Sequence, residues 1–175
     1  MINIYKILPV ALLLLTILQL ESRAQTKVGT GAAWANGVEE FGFNINASFL
    51  TPVEGFRIAG GFSHFFVDEI RAQDQSFSEF NLNGLYEFLN INRVSLYGLG
   101  GVNLGFFNVN VEIETPGFPL ERTESETKVG LNIGGGIEID ILALQLFGEG
   151  KHVFNELDQA IFTAGIRFDL GGSAF

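Results

Sequence analysis

The sequence predicts an all-β protein, an eight-stranded antiparallel up-and-down transmembrane β-barrel. Three observations lead to this prediction. Apolar and polar residues alternate with a period of two over long stretches, which indicates strands with one apolar and one polar face. These stretches hold about ten residues or more, near the length that a tilted strand needs to cross a bilayer. The 22 glycines and 18 phenylalanines, without any cysteine, are typical of a closed barrel.

The first residues are predicted to be a secretory signal and not part of the barrel. The apolar run Ile7–Leu18 is too short to span a membrane as a helix, and small residues follow it in Ser22-Arg23-Ala24. This pattern predicts cleavage before Gln25. We therefore expect a signal peptide at 1–24 and one barrel domain at 25–175, with a membrane-anchor helix as the less favoured alternative.

Alternation defines the first four strands in order, and their predicted ranges are Lys27–Ala35, Glu40–Leu50, Phe56–Phe66 and Phe77–Phe88. The second strand is the clearest, because apolar side chains alternate along it with glycine, asparagine and serine. Asn36-Gly37 predicts a tight first turn. A short turn follows the second strand, and a polar loop separates the third strand from the fourth.

The last four strands are predicted at Arg93–Phe106, in the two arms of the hairpin Thr127–His152, and at Gln159–Leu170. Both arms of the hairpin alternate strictly. A turn at Asp140–Ile141 would pair Ile139 with Leu142, so that the aliphatic side chains share one face. In that register Glu138 and Glu149 lie on adjacent strands but far apart.

Short and long connections are predicted to alternate. The longest, Asn108–Glu126, contains five glutamates and is expected to be a solvated acidic loop. It lacks the Asp-x-Asp spacing of a calcium loop, so calcium binding is the less favoured alternative. Short turns on the periplasmic side and longer loops outside are the pattern of bacterial outer-membrane barrels.

The positions of the glycines within the strands resemble those of a known family. The segments Val94–Gly105, Val129–Glu138 and Ala164–Leu170 resemble the small eight-stranded outer-membrane β-barrel family. The chain is similar to the OmpA transmembrane domain and to OmpX, and especially to the Bacteroidetes-type outer membrane β-barrel domain proteins. This resemblance implies a location in the bacterial outer membrane. Family members usually end on an aromatic residue, and here either Phe168 or Phe175 could be that assembly signal.

Charged residues on the polar faces are predicted to point into the barrel. The interior ion-pair candidates are Arg57, Glu87, Glu138, Glu149, Lys151 and Arg167. A loop centred near residue 72 would place Arg57 opposite Glu87. Eight strands leave an interior just wide enough for side chains, and an unpaired charge there is unfavourable. We therefore expect a packed polar interior with ion pairs, and a narrow channel is the alternative.

No catalytic, cofactor-binding or metal-binding residue is predicted. His64 and His152 are expected on the outward face near the outer rim, without metal-ligand spacing. Some eight-stranded barrels are lipid-modifying enzymes, including lipid A deacylases that use histidine and serine close together on the membrane face. Here Phe154 stands two residues after His152, and Ser63 must point away from its neighbour His64. We therefore expect no enzymatic activity, with a lipid-modifying enzyme as an alternative.

The expected partners follow from charge and surface. The net charge of −10 argues against nucleic acid as a partner. Apolar outward faces predict outer-membrane lipid as the surroundings, and the loops could contact an unidentified extracellular or periplasmic protein. The barrel is expected to be a monomer without a cofactor, and its role structural or surface-interacting.

Overall fold

The structure is a computed structural model that describes residues 26–66, 73–115, 118–142, 144–156 and 158–170. The predicted signal peptide at 1–24 and the candidate terminal aromatic Phe175 lie outside these ranges. Within the described part of the chain, no helix is long and apolar enough to cross a membrane.

Eight antiparallel strands form one closed barrel, which confirms the predicted fold class. Each strand pairs with the next along the chain, and the eighth strand pairs with the first. The strands are β1 (Thr26–Ala35), β2 (Glu40–Leu50), β3 (Phe56–Phe66), β4 (Gln73–Ile91), β5 (Val94–Thr115), β6 (Phe118–Ile141), β7 (Leu144–Phe154) and β8 (Gln159–Asp169).

The hairpin of β5 and β6 is longer than predicted. The two strands hold 22 and 24 residues, and their pairing continues from Asn108 opposite Ser125 to Thr115 opposite Phe118. The prediction of a loop at Asn108–Glu126 was therefore wrong. Period-two alternation with β-branched residues continues through this stretch, and such residues favour a strand even where glutamates and prolines are frequent.

The turn between β6 and β7 also differs from the prediction. Ile141 pairs with Leu144, and Ile139 pairs with Leu146 instead of Leu142. Leu142 has φ of 56°, the left-handed conformation of a two-residue hairpin turn. The predicted partner of each residue on β6 therefore differs from the observed one by four positions. Because four is an even number, the same side chains still face the same side of the sheet.

The outward face of the barrel is apolar around its circumference. Leu131 on β6 is 59% exposed, and large apolar side chains are also exposed on β2, β3, β4, β5, β7 and β8, including Phe41, Ile58, Phe80, Val102, Leu144 and Phe162. On β1 the outward apolar residues Val28 and Trp34 are half-buried. A continuous apolar belt of this kind is typical of a barrel surrounded by lipid, with polar residues facing the lumen.

The lumen is filled, but it is not polar throughout. At the end where β5 and β6 project, called here the loop end, an apolar plug is formed by Ala33, Ala35, Phe65, Phe77, Val153 and Ile161, with Val38 and Phe107 packed against it. The Phe77 ring stacks between those of Phe65 and Phe107, with centroid distances of 5.2 and 4.4 Å. Between this plug and the opposite end, called the turn end, the lumen is mostly polar, and it also contains a smaller apolar cluster of Leu85, Tyr97 and Leu99.

Candidate functional site

Six residues near the turn end form an ion cluster centred on Glu138, which is only 1% exposed. The guanidinium of Arg57 donates from Nη1 to Glu138 Oε2 at 3.0 Å, and Lys27 Nζ lies 3.6 Å from the same oxygen. Arg167 Nη1 donates to the other oxygen, Oε1. One buried carboxylate therefore faces three cations that come from β1, β3 and β8. Glu149 and Tyr97 complete this turn-end ion cluster.

Arg167 links the two carboxylates of the cluster. Its Nη2 lies 3.6 Å from Glu149 Oε2, and the Tyr97 hydroxyl donates to that same oxygen at 2.9 Å. The Arg167 guanidinium also lies 4.0 Å from the centroid of the Phe147 ring. The prediction that Glu138 and Glu149 are far apart was wrong, because the true register of β6 and β7 brings both carboxylates to one arginine.

A second cluster lies between the first one and the apolar plug. Lys151 Nζ donates to Glu79 Oε1 at 2.8 Å, and both side chains are buried. Glu79 also accepts hydrogen bonds from Ser63 at 3.1 Å, Asn81 at 3.0 Å and Asn103 at 2.7 Å. The sequence indicates that Glu79 points inward, but it did not identify this glutamate as the partner of Lys151.

Glu87 does not join either cluster. In the observed register Arg57 lies opposite Leu85, two residues from the predicted position, and Glu87 accepts a hydrogen bond from Asn90 at 3.0 Å. The predicted opposition of Arg57 and Glu87 was therefore wrong. Among the six candidates, the structure pairs Arg57, Glu138, Glu149, Lys151 and Arg167 with buried opposite charges.

A polar pocket of about 290 Å³ opens at the turn end. It reaches Lys27 and Arg57 of the ion cluster, and its wall includes Glu87, Asp140 and Gln145. Its lining thus contains two cationic side chains, Lys27 and Arg57, and two carboxylates, Glu87 and Asp140. Among the described residues, no group of three or more His, Cys, Asp or Glu side chains could hold a metal ion.

The lipid-facing wall holds a polar pair that the sequence did not reveal. Ser78 on β4 lies directly opposite His64 on β3, and Ser78 Oγ is 2.8 Å from His64 Nδ1. The predicted register would have placed Phe80 there, so the same error of two residues that misplaced Arg57 concealed this serine. His152 instead lies 2.8 Å from Asp158 Oδ1, through its Nε2.

Comparisons with known proteins identify the fold. No family model matches the chain, and no curated protein matches it. Among solved structures, a major outer membrane protein from Thermus thermophilus is 14% identical with a TM-score of 0.67, over 83% of this chain and 98% of that one. Neisserial surface protein A is 15% identical with a TM-score of 0.62, over 85% and 100%.

The attachment invasion locus protein of Yersinia pestis, Ail, is 20% identical with a TM-score of 0.55, over 83% of this chain and 99% of that one. Such likenesses at low identity show the fold alone. They confirm the predicted likeness to small eight-stranded outer-membrane barrels, and the predicted outer-membrane location agrees with them. A barrel designed de novo is also similar, with a TM-score of 0.51 and 10% identity.

Proposed function

We propose that this chain is a monomeric outer-membrane barrel whose filled lumen and lipid-embedded wall anchor a projecting β-sheet, and that this sheet contacts a protein outside the cell. The observation that leads to this proposal is the length of the β5–β6 hairpin. β5 and β6 remain paired to Thr115 and Phe118, whereas β4 accompanies β5 as far as Gln73 opposite Val111 and β7 pairs with β6 only from Leu131. The hairpin therefore extends a few residues beyond β4 and much farther beyond β7.

One edge of this projecting hairpin is open. Among the described strands, the pairing of β6 with β7 begins at Leu131 opposite Phe154, so Phe118–Gly130 has a partner on its β5 side alone. An open edge presents alternate backbone N–H and C=O groups, which can accept a further strand from another protein. Main-chain pairing of this kind supplies affinity without a preformed pocket.

Charge favours a basic partner. The stretch from Asn108 to Glu126 contains five glutamates and one arginine. Ail has been solved in complex with the heparin analogue sucrose octasulfate, a polyanion. An acidic hairpin repels a polyanion, so we infer a different ligand class for this chain, an extended cationic segment of a protein.

The lumen supports an anchoring role and not solute passage. The apolar plug closes the loop end, and the two ion clusters fill the space below it. We propose no catalytic function for the lumen or the hairpin.

The test replaces residues 109–124 by Asn-Gly, which joins Asn108 to Ser125 through a two-residue turn. The shortened protein should fold with normal heat-modifiable gel migration but lose binding to a polylysine surface at physiological salt. A matched variant with all five hairpin glutamates changed to glutamine keeps the hairpin and should bind polylysine weakly. A heparin surface should retain neither wild type nor variants. Undiminished polylysine binding by the shortened protein would refute the proposal.

A further inference from the structure

We propose that His64 and Ser78 form a site on the lipid-facing wall that cleaves acyl esters of membrane lipids, with Ser78 as nucleophile and His64 as general base. This activity goes beyond the surface role, and it would replace the expectation that the chain has no enzymatic activity. The two observations behind it are the contact between the side chains and their position on the barrel.

The two side chains are in close contact, and neighbouring rings hold the imidazole in place. The two residues are register partners on adjacent strands, with 2.8 Å between Ser78 Oγ and His64 Nδ1. Two rings hold the imidazole: Phe43 with a centroid distance of 5.8 Å, and Phe66 edge-on at 5.5 Å. A serine within hydrogen-bond reach of an oriented histidine is the arrangement that activates a hydroxyl as nucleophile.

The position suits a lipid ester. His64 and Ser78 lie on the outward face, half-buried, and β3 ends two residues after His64 at Phe66. The pair therefore lies near the loop-end rim of the apolar belt, where the polar region of a bilayer meets its hydrocarbon core. Toward the membrane centre the same face continues with Phe80, Leu82 and Ile45, all more than half exposed. Acyl chains can pack along these side chains while the ester carbonyl reaches Ser78.

The reaction follows from these two side chains. Ser78 Oγ attacks the ester carbonyl carbon while His64 Nδ1 accepts the hydroxyl proton. The bond between the carbonyl carbon and the lipid alkoxy oxygen breaks, and that oxygen receives the proton from His64. An acyl ester now joins the fatty acid to Ser78. Water attacks this ester, with its proton passing to His64, and the fatty acid leaves as Ser78 regains its proton.

In a serine triad a carboxylate contacts the histidine, whereas here the rings of Phe43 and Phe66 contact His64. Among the described residues, no carboxylate contacts His64. Turnover should therefore be slow compared with that of a complete triad, in which the third residue stabilises the imidazolium. Covalent labelling of the serine is for this reason the more sensitive measurement.

The experiment uses the mature barrel folded into vesicles, with folding verified by heat-modifiable migration. A fluorophosphonate probe should label the wild type at Ser78, as located by peptide mass spectrometry. Ser78→Ala and His64→Gln should each lower labelling by about 10²-fold or more, the usual contribution of general-base catalysis. If either variant fails to fold, the other one decides.

Matched controls are available on the same wall. Ser76→Ala removes an outward serine that lies opposite Phe66, and His152→Gln removes the outward histidine that contacts Asp158. Both controls should be labelled like the wild type.

Fatty-acid release is then measured from two kinds of vesicle, one of phosphatidylglycerol and one containing lipid A. The site is supported if the wild type releases fatty acid from either kind of vesicle and Ser78→Ala does not. The kind of vesicle that is cleaved then identifies the lipid class. The proposal is overturned if the wild type is not labelled at Ser78, if His64→Gln is labelled as fast as the wild type, or if neither vesicle releases fatty acid.

Discussion

Replacing Phe77 by alanine removes the middle ring of the apolar plug. Phe77 is 1% exposed, and its ring stacks between Phe65 at 5.2 Å and Phe107 at 4.4 Å, with interplanar angles of 16° and 15°. Phe65 and Phe107 belong to β3 and β5, so their backbones are fixed by the barrel on either side of the space. The substitution should therefore leave a cavity across the lumen at the loop end.

The expected cost follows from burial and stacking. Deleting a fully buried phenylalanine side chain costs about 3–5 kcal/mol when the cavity does not collapse. The matched control is Phe80→Ala on the same strand, since Phe80 is outward and 52% exposed. Lipid can occupy the space that this ring leaves, so only the transfer contribution of about 1.5–3 kcal/mol is lost.

Two measurements test this reasoning. Urea unfolding of vesicle-folded protein should show a larger loss of free energy of unfolding for Phe77→Ala than for Phe80→Ala. In planar bilayers the wild type and Phe80→Ala should give no steady porin-sized current, whereas Phe77→Ala should give small openings. Large stable currents from the wild type would refute the plug, and equal stability losses in both variants would refute the assignment of Phe77 to the lumen.

Three more substitutions and one mass measurement test the other predictions. Glu138→Gln should cost about 3–5 kcal/mol in the same urea assay, because it leaves buried cations without their carboxylate. Leu131→Arg should cost about 2–4 kcal/mol, as expected for a charge facing the middle of a bilayer. Gly136→Ala should cost about 1–3 kcal/mol, since a Cβ there would overlap the Tyr97 ring. Intact-mass analysis of envelope protein should give a chain that begins at Gln25.

Each of the three substitutions has a control. Glu87→Gln lies outside the ion clusters and should be nearly neutral, as should the small inward change Thr163→Ser. Gly98→Ala should also be tolerated, because its Cβ would meet nothing within 4 Å. Stability losses in these controls as large as those in the three test variants would contradict the assigned positions. A mature protein that keeps Met1 would contradict the predicted signal peptide.

Local pattern predicted which side of the wall each side chain faces, because parity in a strand depends on neighbouring residues alone. Register could not be predicted in the same way, because it depends on where each connection turns. An error of two residues between β3 and β4 misplaced the partner of Arg57 and concealed Ser78 beside His64. The turn at Leu142 has neither glycine nor asparagine to mark it, so the error of four residues there separated Glu138 from Glu149.

The apolar plug could not be predicted from the sequence for a different reason. Phe65 and Phe77 have inward parity, but an inward phenylalanine in an isolated strand does not reveal whether other rings meet it across the lumen. The projecting hairpin was missed because acidic residues and prolines suggested a loop, although alternation continued through it.

The turn-end ion cluster has a consequence for how the chain assembles. Its members come from six different strands, and the partners of Glu138 lie far from it along the chain, with a sequence separation of 81 between Arg57 and Glu138. A partly formed sheet in the bilayer would expose several of these charges before their partners arrive. Such intermediates are costly, so insertion and closure of the wall should occur together in one cooperative step, and the high sequence separation of the contacts predicts that this step is slow.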